Sequence, residues 1–220
     1  MNNIFCILLT TYNIPEKTTI YNKVLNWWLD NSKFDIYVVS SHINNFTIND
    51  KKNITRVFFH LFEQPHDILL PKWHSHTKTS TSAEELSLNE VYNKFNNNFL
   101  KYKYIVKLTG KYRTHNYIKI LENITLDFDF ARQSPNIIRS GNNFIICNSL
   151  NRHCHTETFI IKSELFKQFL ETIKQKNCSM ESKVLYTLQS NKWNIKVLPK
   201  ILIPDEYRIS RNDGSILTYL

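Results

Sequence analysis

The sequence predicts a single α/β domain with a mostly parallel central sheet flanked by helices. Short apolar runs, which are typical of buried strands, alternate with longer segments in which apolar residues recur at helical spacing. The connections are short, and no repeat, low-complexity linker or domain boundary interrupts residues 1–220. Such alternation favours right-handed β-α-β units, whose strands are parallel.

The first half of the chain predicts four strands and two helices. Strands are expected at residues 4–10, 34–41, 54–62 and 104–109. The first helix begins near Pro15, which suits a first helical turn. Its buried stripe is formed by Tyr21, Val24, Leu25, Trp28 and Leu29. A second, longer helix is expected at about residues 80–99.

The second half predicts shorter elements of the same two kinds. Strands are expected at residues 126–131, 144–147, 157–162 and 195–198, and a short helix at 116–123. Two further helices begin after Ser163 and near Ser179, where a serine precedes an apolar stripe. An irregular tail follows.

Composition narrows the possible ligands. Lys and Arg exceed Asp and Glu by 28 to 19, a net charge of +9 that suits an anionic ligand, a nucleic acid or a membrane surface. Because the basic residues are scattered, we interpret the excess as an anionic pocket. The three glycines form neither Gly-x-Gly-x-x-Gly nor Gly-x-x-x-x-Gly-Lys, so dinucleotide and P-loop fingerprints are excluded.

Cysteine usage and hydropathy bear on the compartment. The four cysteines form no Cys-x-x-Cys pair, and we find neither a secretory leader nor a transmembrane segment. These features predict a cytoplasmic protein with free thiols.

Gly110 marks the first candidate binding segment. It follows the predicted strand at residues 104–109 and precedes Lys111 and Arg113. Ligands of α/β sheets bind at the carboxyl ends of strands, where glycine permits a turn and two cations favour an anion. The alternative is a solvated basic turn.

Polar residues also follow the first two predicted strands. Thr10, Thr11 and Tyr12 come at the end of the first strand, and Ser41 ends the second. Neighbouring parallel strands bring these groups to one edge, where hydroxyls and an aromatic ring can hold a base and ribose. The alternative is ordinary turn chemistry.

Lys78 lies near the start of the long helix, whose N-terminus favours a phosphate. The same segment has an explanation that needs no ligand. Thr81 with Glu84, or Ser82 with Glu85, has the spacing of a capping box.

Two carboxylates are candidates for a general base. Glu157 begins a predicted strand and Glu181 begins a predicted helix, so each has a fixed direction at a pocket rim. The structural alternatives are a salt bridge at the strand end for Glu157 and a favourable dipole interaction for Glu181.

Metal sites are not expected. Asp127 and Asp129 have the spacing of a metal-binding pair, but strand alternation places both on one solvated face. The cluster at residues 153–155 lacks a standard zinc spacing. We interpret His155, together with Thr156, as a substrate contact.

Several segments resemble, in order, the small GT-A glycosyltransferases of bacterial surface-polysaccharide clusters and large DNA viruses. Residues 8–13 resemble the first loop, which contacts the nucleotide, and residues 78–85 resemble the helix start near the donor phosphates. Residues 104–112 are similar to the "K-[IL]-[TS]-G-[RK]-Y" segment, and residues 155–162 resemble the acceptor-side strand. Residues 180–199 resemble the acidic motif with its helix and closing strand, and residues 210–220 resemble the C-terminal ending. The resemblance covers nearly the whole chain.

The resemblance implies a Rossmann-like GT-A domain in which residues 1–115 bind the nucleotide sugar and 116–220 form the acceptor and catalytic half. The implied reaction moves a sugar from a nucleoside-diphosphate donor to a hydroxyl of a glycan or glycolipid. The donor that the resemblance favours is a UDP-sugar. Glu181 is the implied base of an inverting reaction, with Glu157 as second candidate. If the protein is viral, the predicted cytoplasmic location is the cytoplasm of the host cell.

The sequence departs from the family at one point. Most GT-A enzymes hold a divalent cation through Asp-x-Asp at the end of the fourth strand, where this chain has Thr109-Gly110-Lys111. Lys111 and Arg113 can supply the same charge to the departing diphosphate. We therefore expect no required cofactor, with Mn²⁺ or Mg²⁺ dispensable.

Three alternatives remain open. A sugar-nucleotide nucleotidyltransferase shares the architecture, but its Gly-rich first loop is missing from residues 10–15. A nucleic-acid-binding module would interleave aromatic and basic residues, whereas most aromatics here fall on apolar stripes, so nucleic acid is not an expected partner. The third alternative is a transferase fold used only for binding.

Overall fold

The computed structural model describes residues 4–11, 18–41, 45–63, 77–133, 137–140, 143–146, 157–176 and 178–199. At 77–82, 137–140 and 143–146 it describes the backbone alone.

The described chain contains both strands and helices, which alternate in its first half and are grouped in its second. The strands are β1 (Phe5–Thr11), β2 (Asp35–Ser40), β3 (Val57–Leu61), β4 (Tyr104–Thr109), β5 (Phe130–Gln133), β6 (Ile137–Ser140), β7 (Asn143–Ile146), β8 (Thr158–Lys162) and β9 (Ile195–Leu198). The helices are α1 (Thr18–Asn31), α2 (Thr77–Phe99), α3 (His115–Asn123), α4 (Phe166–Lys174) and α5 (Met180–Ser190). Short 3-10 helices occupy Lys51–Arg56 and Ser163–Leu165.

Seven strands form one sheet in the order β3-β2-β1-β4-β8-β5-β9. Every neighbouring pair is parallel except the two that include β8, which runs antiparallel to β4 and to β5. The prediction of a mostly parallel sheet is confirmed. Because β8 is reversed, its first residue lies beside the carboxyl ends of β4 and β5. The short β6 and β7 form a separate antiparallel pair.

Helices cover both faces of the sheet. The α1–α3 face consists of the side chains that pack against α1 and α3, and the α2 face consists of those that pack against α2, α4 and α5. The five residues of the predicted α1 stripe are each at most 2% exposed, which confirms that stripe. No helix in the described part of the chain is long and apolar enough to cross a membrane.

Two predicted strands differ from the structure at their starts. Residues 51–56 form a 3-10 helix because Asp50 caps it, accepting a 2.9 Å hydrogen bond from the backbone N–H of Lys52. Residues 126–129 precede β5 rather than belonging to it. The expected strand face carrying Asp127 and Asp129 is therefore wrong.

Asp129 has a structural role instead. Its carboxylate accepts hydrogen bonds from the Lys162 ammonium at 2.6 Å and from the backbone N–H of Asn194 at 2.9 Å. The hydrogen bond from Lys162 lowers the pKa of Asp129 most, and the bond from Asn194 lowers it further. Asp129 precedes β5, so it lies at the opposite edge of the sheet from the end of β4.

The capping boxes are also wrong, because α2 begins at Thr77 rather than near residue 80. Thr81 and Ser82 therefore lie inside the helix. The side chains of Glu84 and Glu85 instead make ion pairs with other elements, as described below.

Candidate active site

Several strand ends meet at the carboxyl edge of the sheet. In register, Thr10 of β1 pairs with Thr109 of β4, and Thr11 pairs with Ser40 of β2. On the other side, Leu108 of β4 pairs with Thr158, the first residue of β8. The segments that the sequence predicts at the ends of β1, β2 and β4 thus share one edge.

Gly110 is held tightly against the end of β1. Its N–H donates a 2.8 Å hydrogen bond to the Thr10 carbonyl, and the Lys111 N–H donates to the Thr109 carbonyl at 2.8 Å. A Cβ at position 110 would lie 2.5 Å from Cγ2 of Thr11 and 3.2 Å from the Thr10 carbonyl oxygen. Its φ lies outside the left-handed region. Close approach, rather than a special backbone angle, therefore explains glycine here.

We expect Gly110→Ala to lower the free energy of unfolding by about 1–3 kcal/mol, because the new methyl overlaps Thr11. Urea denaturation measures this. Thr11→Ser removes Cγ2 but keeps the hydroxyl, so the double variant should recover part of the loss. An alanine variant as stable as the wild type would contradict the close contact.

Thr10 and Thr11 hold the strands together at this edge. Both are buried, and their hydroxyls donate to the carbonyls of Leu108 at 3.4 Å and Val39 at 3.2 Å. Ser41 differs, since it is 2% exposed and its hydroxyl has no hydrogen-bond partner among the described residues. A buried polar group without a partner costs free energy that a bound ligand can relieve.

The basic turn after β4 is fixed through Tyr112. Trp28 donates from its indole N–H to the Tyr112 carbonyl at 3.0 Å, and Tyr112 is fully buried. Lys111 and Arg113, on either side of it, are partly buried, and the Lys111 ammonium lies 5.1 Å from the centroid of the Tyr112 ring. The two predicted cations therefore extend from an anchored segment.

Glu157 and Glu181 come to the same region from different elements. The Thr109 N–H donates to the Glu157 carbonyl at 2.9 Å, which fixes Glu157 beside the end of β4. Glu181 lies exposed in the first turn of α5, after the capping Ser179, whose hydroxyl accepts from the N–H of Ser182 at 3.3 Å.

A buried ion pair links these elements, and sequence reasoning missed it. Lys107 of β4 is fully buried and its ammonium bonds the carboxylate of Glu84, which is 8% exposed. Burial raises the pKa of Glu84, Lys107 opposes the rise, and the charges of Glu181 and Glu157 add to it. Both candidate bases are therefore close enough to Glu84 to influence its charge.

The next residue of α2 makes a second pair. The Lys183 ammonium, on α5, bonds the carboxylate of Glu85, and both side chains are less than 20% exposed. One signal for these pairs was present in the sequence. A lysine inside the apolar run of β4 needs a buried partner, although the sequence does not say which carboxylate supplies it.

The carboxyl end of β5 brings two further polar residues that sequence reasoning did not select. Arg132 and Gln133 are 1% and 4% exposed. Both amide atoms of Gln133 are without a hydrogen-bond partner in the described part of the chain. By register, Gln133 lies beside Thr158, whose hydroxyl is 2.8 Å from that of Tyr117.

Four of the predicted site residues cannot be placed as side chains. Tyr12, His155 and Thr156 lie outside the described residues, and at Lys78 the structure describes the backbone alone, in the first turn of α2.

The donor set at the end of β4 does not fit a divalent cation of the usual GT-A kind. Thr109, Gly110 and Lys111 supply no carboxylate, and the next charged side chains along the chain are basic. Within the described ranges, no group of three or more His, Cys, Asp or Glu residues is arranged to hold a metal.

No protein-family model matches the sequence, and no curated protein matches it. Solved structures match the fold. A 4-diphosphocytidyl-2C-methyl-D-erythritol synthase from Anaerococcus prevotii matches with a TM-score of 0.55 at 9% identity, over 99% of this chain and 94% of that one. Galactosyltransferase LgtC, solved with donor and acceptor sugar analogues, matches with a TM-score of 0.51 at 12% identity, over 87% and 72%. A glycosyltransferase involved in glycosylation of the major capsid of PBCV-1 matches with a TM-score of 0.48 at 10% identity, over 88% and 81%.

The chain therefore has the GT-A-like fold that its sequence predicts. The galactosyltransferase and the synthase both share this fold with the chain.

Proposed function

We propose that this protein is a glycosyltransferase that moves a sugar from a nucleoside-diphosphate donor to a hydroxyl of a glycan or glycolipid, inverting the anomeric carbon. One observation supports this best. Glu157 is held beside the end of β4 by the bond from the Thr109 N–H to its carbonyl, and α5, which carries Glu181 in its first turn, is tied to α2 by the ion pair of Lys183 with Glu85. The end of β4 lies at the edge of an α/β sheet where ligands bind. A carboxylate pair at a strand end suits deprotonation of an acceptor hydroxyl.

Glu181 is the base in this proposal. It is exposed, so an acceptor sugar can reach it, and its position in the first turn of α5 fixes its direction. Glu157 is the second candidate, or it positions the acceptor together with His155 and Thr156. A base that removes the acceptor proton while the diphosphate leaves from the opposite face gives inversion.

The donor lies over the ends of β1, β2 and β4. Tyr12 and Ser41 hold the nucleoside, a uridine in the leading form of the proposal, with Lys78 near the phosphates. Thr10 and Thr11 form the buried floor beneath it, because their hydroxyls already bond the carbonyls of Leu108 and Val39. Lys111 and Arg113, which extend from the anchored turn at Gly110, stabilise the departing diphosphate in place of a metal ion.

The test is a thermal-shift panel of nucleoside diphosphates and nucleotide sugars, each measured with EDTA and with Mn²⁺. We expect one diphosphate series to raise Tm with EDTA present, because bound ligand stabilises the folded state as RT ln(1 + [L]/Kd). A shift seen only with Mn²⁺ would contradict the metal-free proposal and keep the transferase. No shift with any nucleotide would contradict both.

A nucleotidyltransferase is the second candidate, because the synthase from Anaerococcus prevotii matches 99% of the chain. The two reactions release different products. A nucleotidyltransferase joins a nucleoside triphosphate to a sugar phosphate and releases pyrophosphate. The proposed reaction instead releases a nucleoside diphosphate from a nucleotide sugar. Measuring which product accumulates separates them.

A further inference from the structure

Two consecutive glutamates of α2 each bond a lysine from a different element. Glu84 bonds Lys107 of β4, and Glu85 bonds Lys183 of α5, which is 98 residues away in the chain. One dipeptide therefore ties both the central strand and the helix that carries Glu181 to α2.

These ion pairs lie on a mostly apolar surface. The α2 face is built from side chains such as Leu8, Leu88, Val91, Phe159 and Val184, all fully buried. Removing charges from water costs several kcal/mol per ion, and well-packed apolar residues of similar size often stabilise a fold as well or better. Stability alone therefore does not account for the two pairs.

The positions of the two lysines in the chain indicate what the ion pairs do. Lys107 lies two residues before Thr109, whose N–H bonds the Glu157 carbonyl, and Lys183 lies two residues after Glu181. Lys107 from β4 bonds the Glu84 carboxylate, and the charges of Glu181 from α5 and Glu157 from the start of β8 add to the rise that burial gives the pKa of Glu84. Arg132 of β5 lies on the same face, because it pairs in register with Phe159, the residue that also pairs with Lys107.

We propose that Glu84 and Glu85 are positioning residues, which hold β4 and α5 against α2 and thereby keep Glu157 and Glu181 at the candidate active site. This inference rests on the proposed function for its effect on rate, but its structural part does not.

The structural part is tested by hydrogen exchange, which needs no activity. Glu85→Lys sets two ammonium groups against each other, so we expect exchange in residues 180–190 to become several-fold faster. The charge-swapped double variant, Glu85→Lys with Lys183→Glu, should restore slow hydrogen exchange. Glu90→Lys on the same helix is the control, because Glu90 contacts His60 of β3 and not α5. The positioning role would be overturned if hydrogen exchange is unchanged in Glu85→Lys, or if slow hydrogen exchange does not return in the charge-swapped double variant.

The effect on the rate is tested by measuring kcat and the donor KM. Glu84→Gln leaves the Lys107 ammonium without its counter-charge and weakens the link between β4 and α2. If that link positions the candidate bases, kcat should fall several-fold while the donor KM stays within about twofold. Circular dichroism confirms folding of the variant, and Glu90→Gln should keep the kcat of the wild type.

The outcomes separate this inference from the proposed function. An active wild type whose kcat is unchanged in Glu84→Gln overturns the effect of positioning on the rate and leaves the transferase standing. A wild type that binds and transfers nothing overturns the proposed function and the effect on the rate together, while the hydrogen-exchange experiment still decides the positioning role.

Discussion

Replacing Glu181 with glutamine is expected to lower kcat by about 10²-fold or more and to leave donor binding intact. Glutamine has nearly the same shape as glutamate but cannot accept the acceptor proton. Because Glu181 is exposed in the first turn of α5, its substitution leaves the buried core unchanged. The variant should therefore keep the thermal shift given by the nucleoside diphosphate while losing turnover.

Two further variants make the result specific. Glu122→Gln, on the exposed side of α3, should retain wild-type kcat. Glu157→Gln should lose less than Glu181→Gln if Glu157 positions the acceptor. A larger loss in Glu157→Gln would transfer the role of base to Glu157, and wild-type turnover in Glu181→Gln would refute the assignment.

The strands of the sheet could be predicted because buried β-structure leaves a clear pattern. The predicted strands at residues 104–109 and 195–198 have the observed bounds. The pattern misled at residues 126–129, where Leu126 and Phe128 alternate with aspartates. There Phe128 packs against the Tyr104 ring, 4.5 Å between centroids, and Asp129 bonds Lys162 and Asn194. Long-range contacts of this kind do not appear in local periodicity.

The candidate site could be predicted where it follows from strand ends. Gly110, Lys111 and Glu157 were selected by their places next to strands, and the parallel register fixes which ends are neighbours. The sequence could not pair Lys107 with Glu84, because that contact depends on how α2 lies across the sheet. Nor could it indicate that the Gln133 amide is buried, which depends on the register of β5 with β8.

Lys107→Met is expected to lower the free energy of unfolding by about 3–5 kcal/mol, because it leaves the Glu84 carboxylate buried without its counter-charge. Urea denaturation at pH 7 measures the loss. Lys167→Met is the matched control, since Lys167 pairs with Glu171 at 3.9 Å and both side chains are more than 60% exposed. Its loss should stay below about 0.5 kcal/mol.

The loss should also depend on pH with a definite sign. Burial already raises the pKa of Glu84 above its ordinary value, and removing Lys107 takes away the charge that opposes the rise. A carboxyl whose pKa is raised by folding destabilises the protein progressively as pH increases from its unfolded pKa to its folded pKa. The deficit of Lys107→Met should therefore shrink as the pH is lowered and Glu84 takes up a proton. A deficit that grows toward low pH would contradict this origin.

The double variant Lys107→Met with Glu84→Leu then separates stability from function. Replacing both partners of a buried ion pair by apolar residues often leaves stability unchanged or increases it, so most of the 3–5 kcal/mol should return. If the pair serves to position β4 near Glu157 and Glu181, this stable protein should still turn over more slowly than the wild type. A double variant that is both as stable and as fast as the wild type would show that the buried charges serve neither purpose.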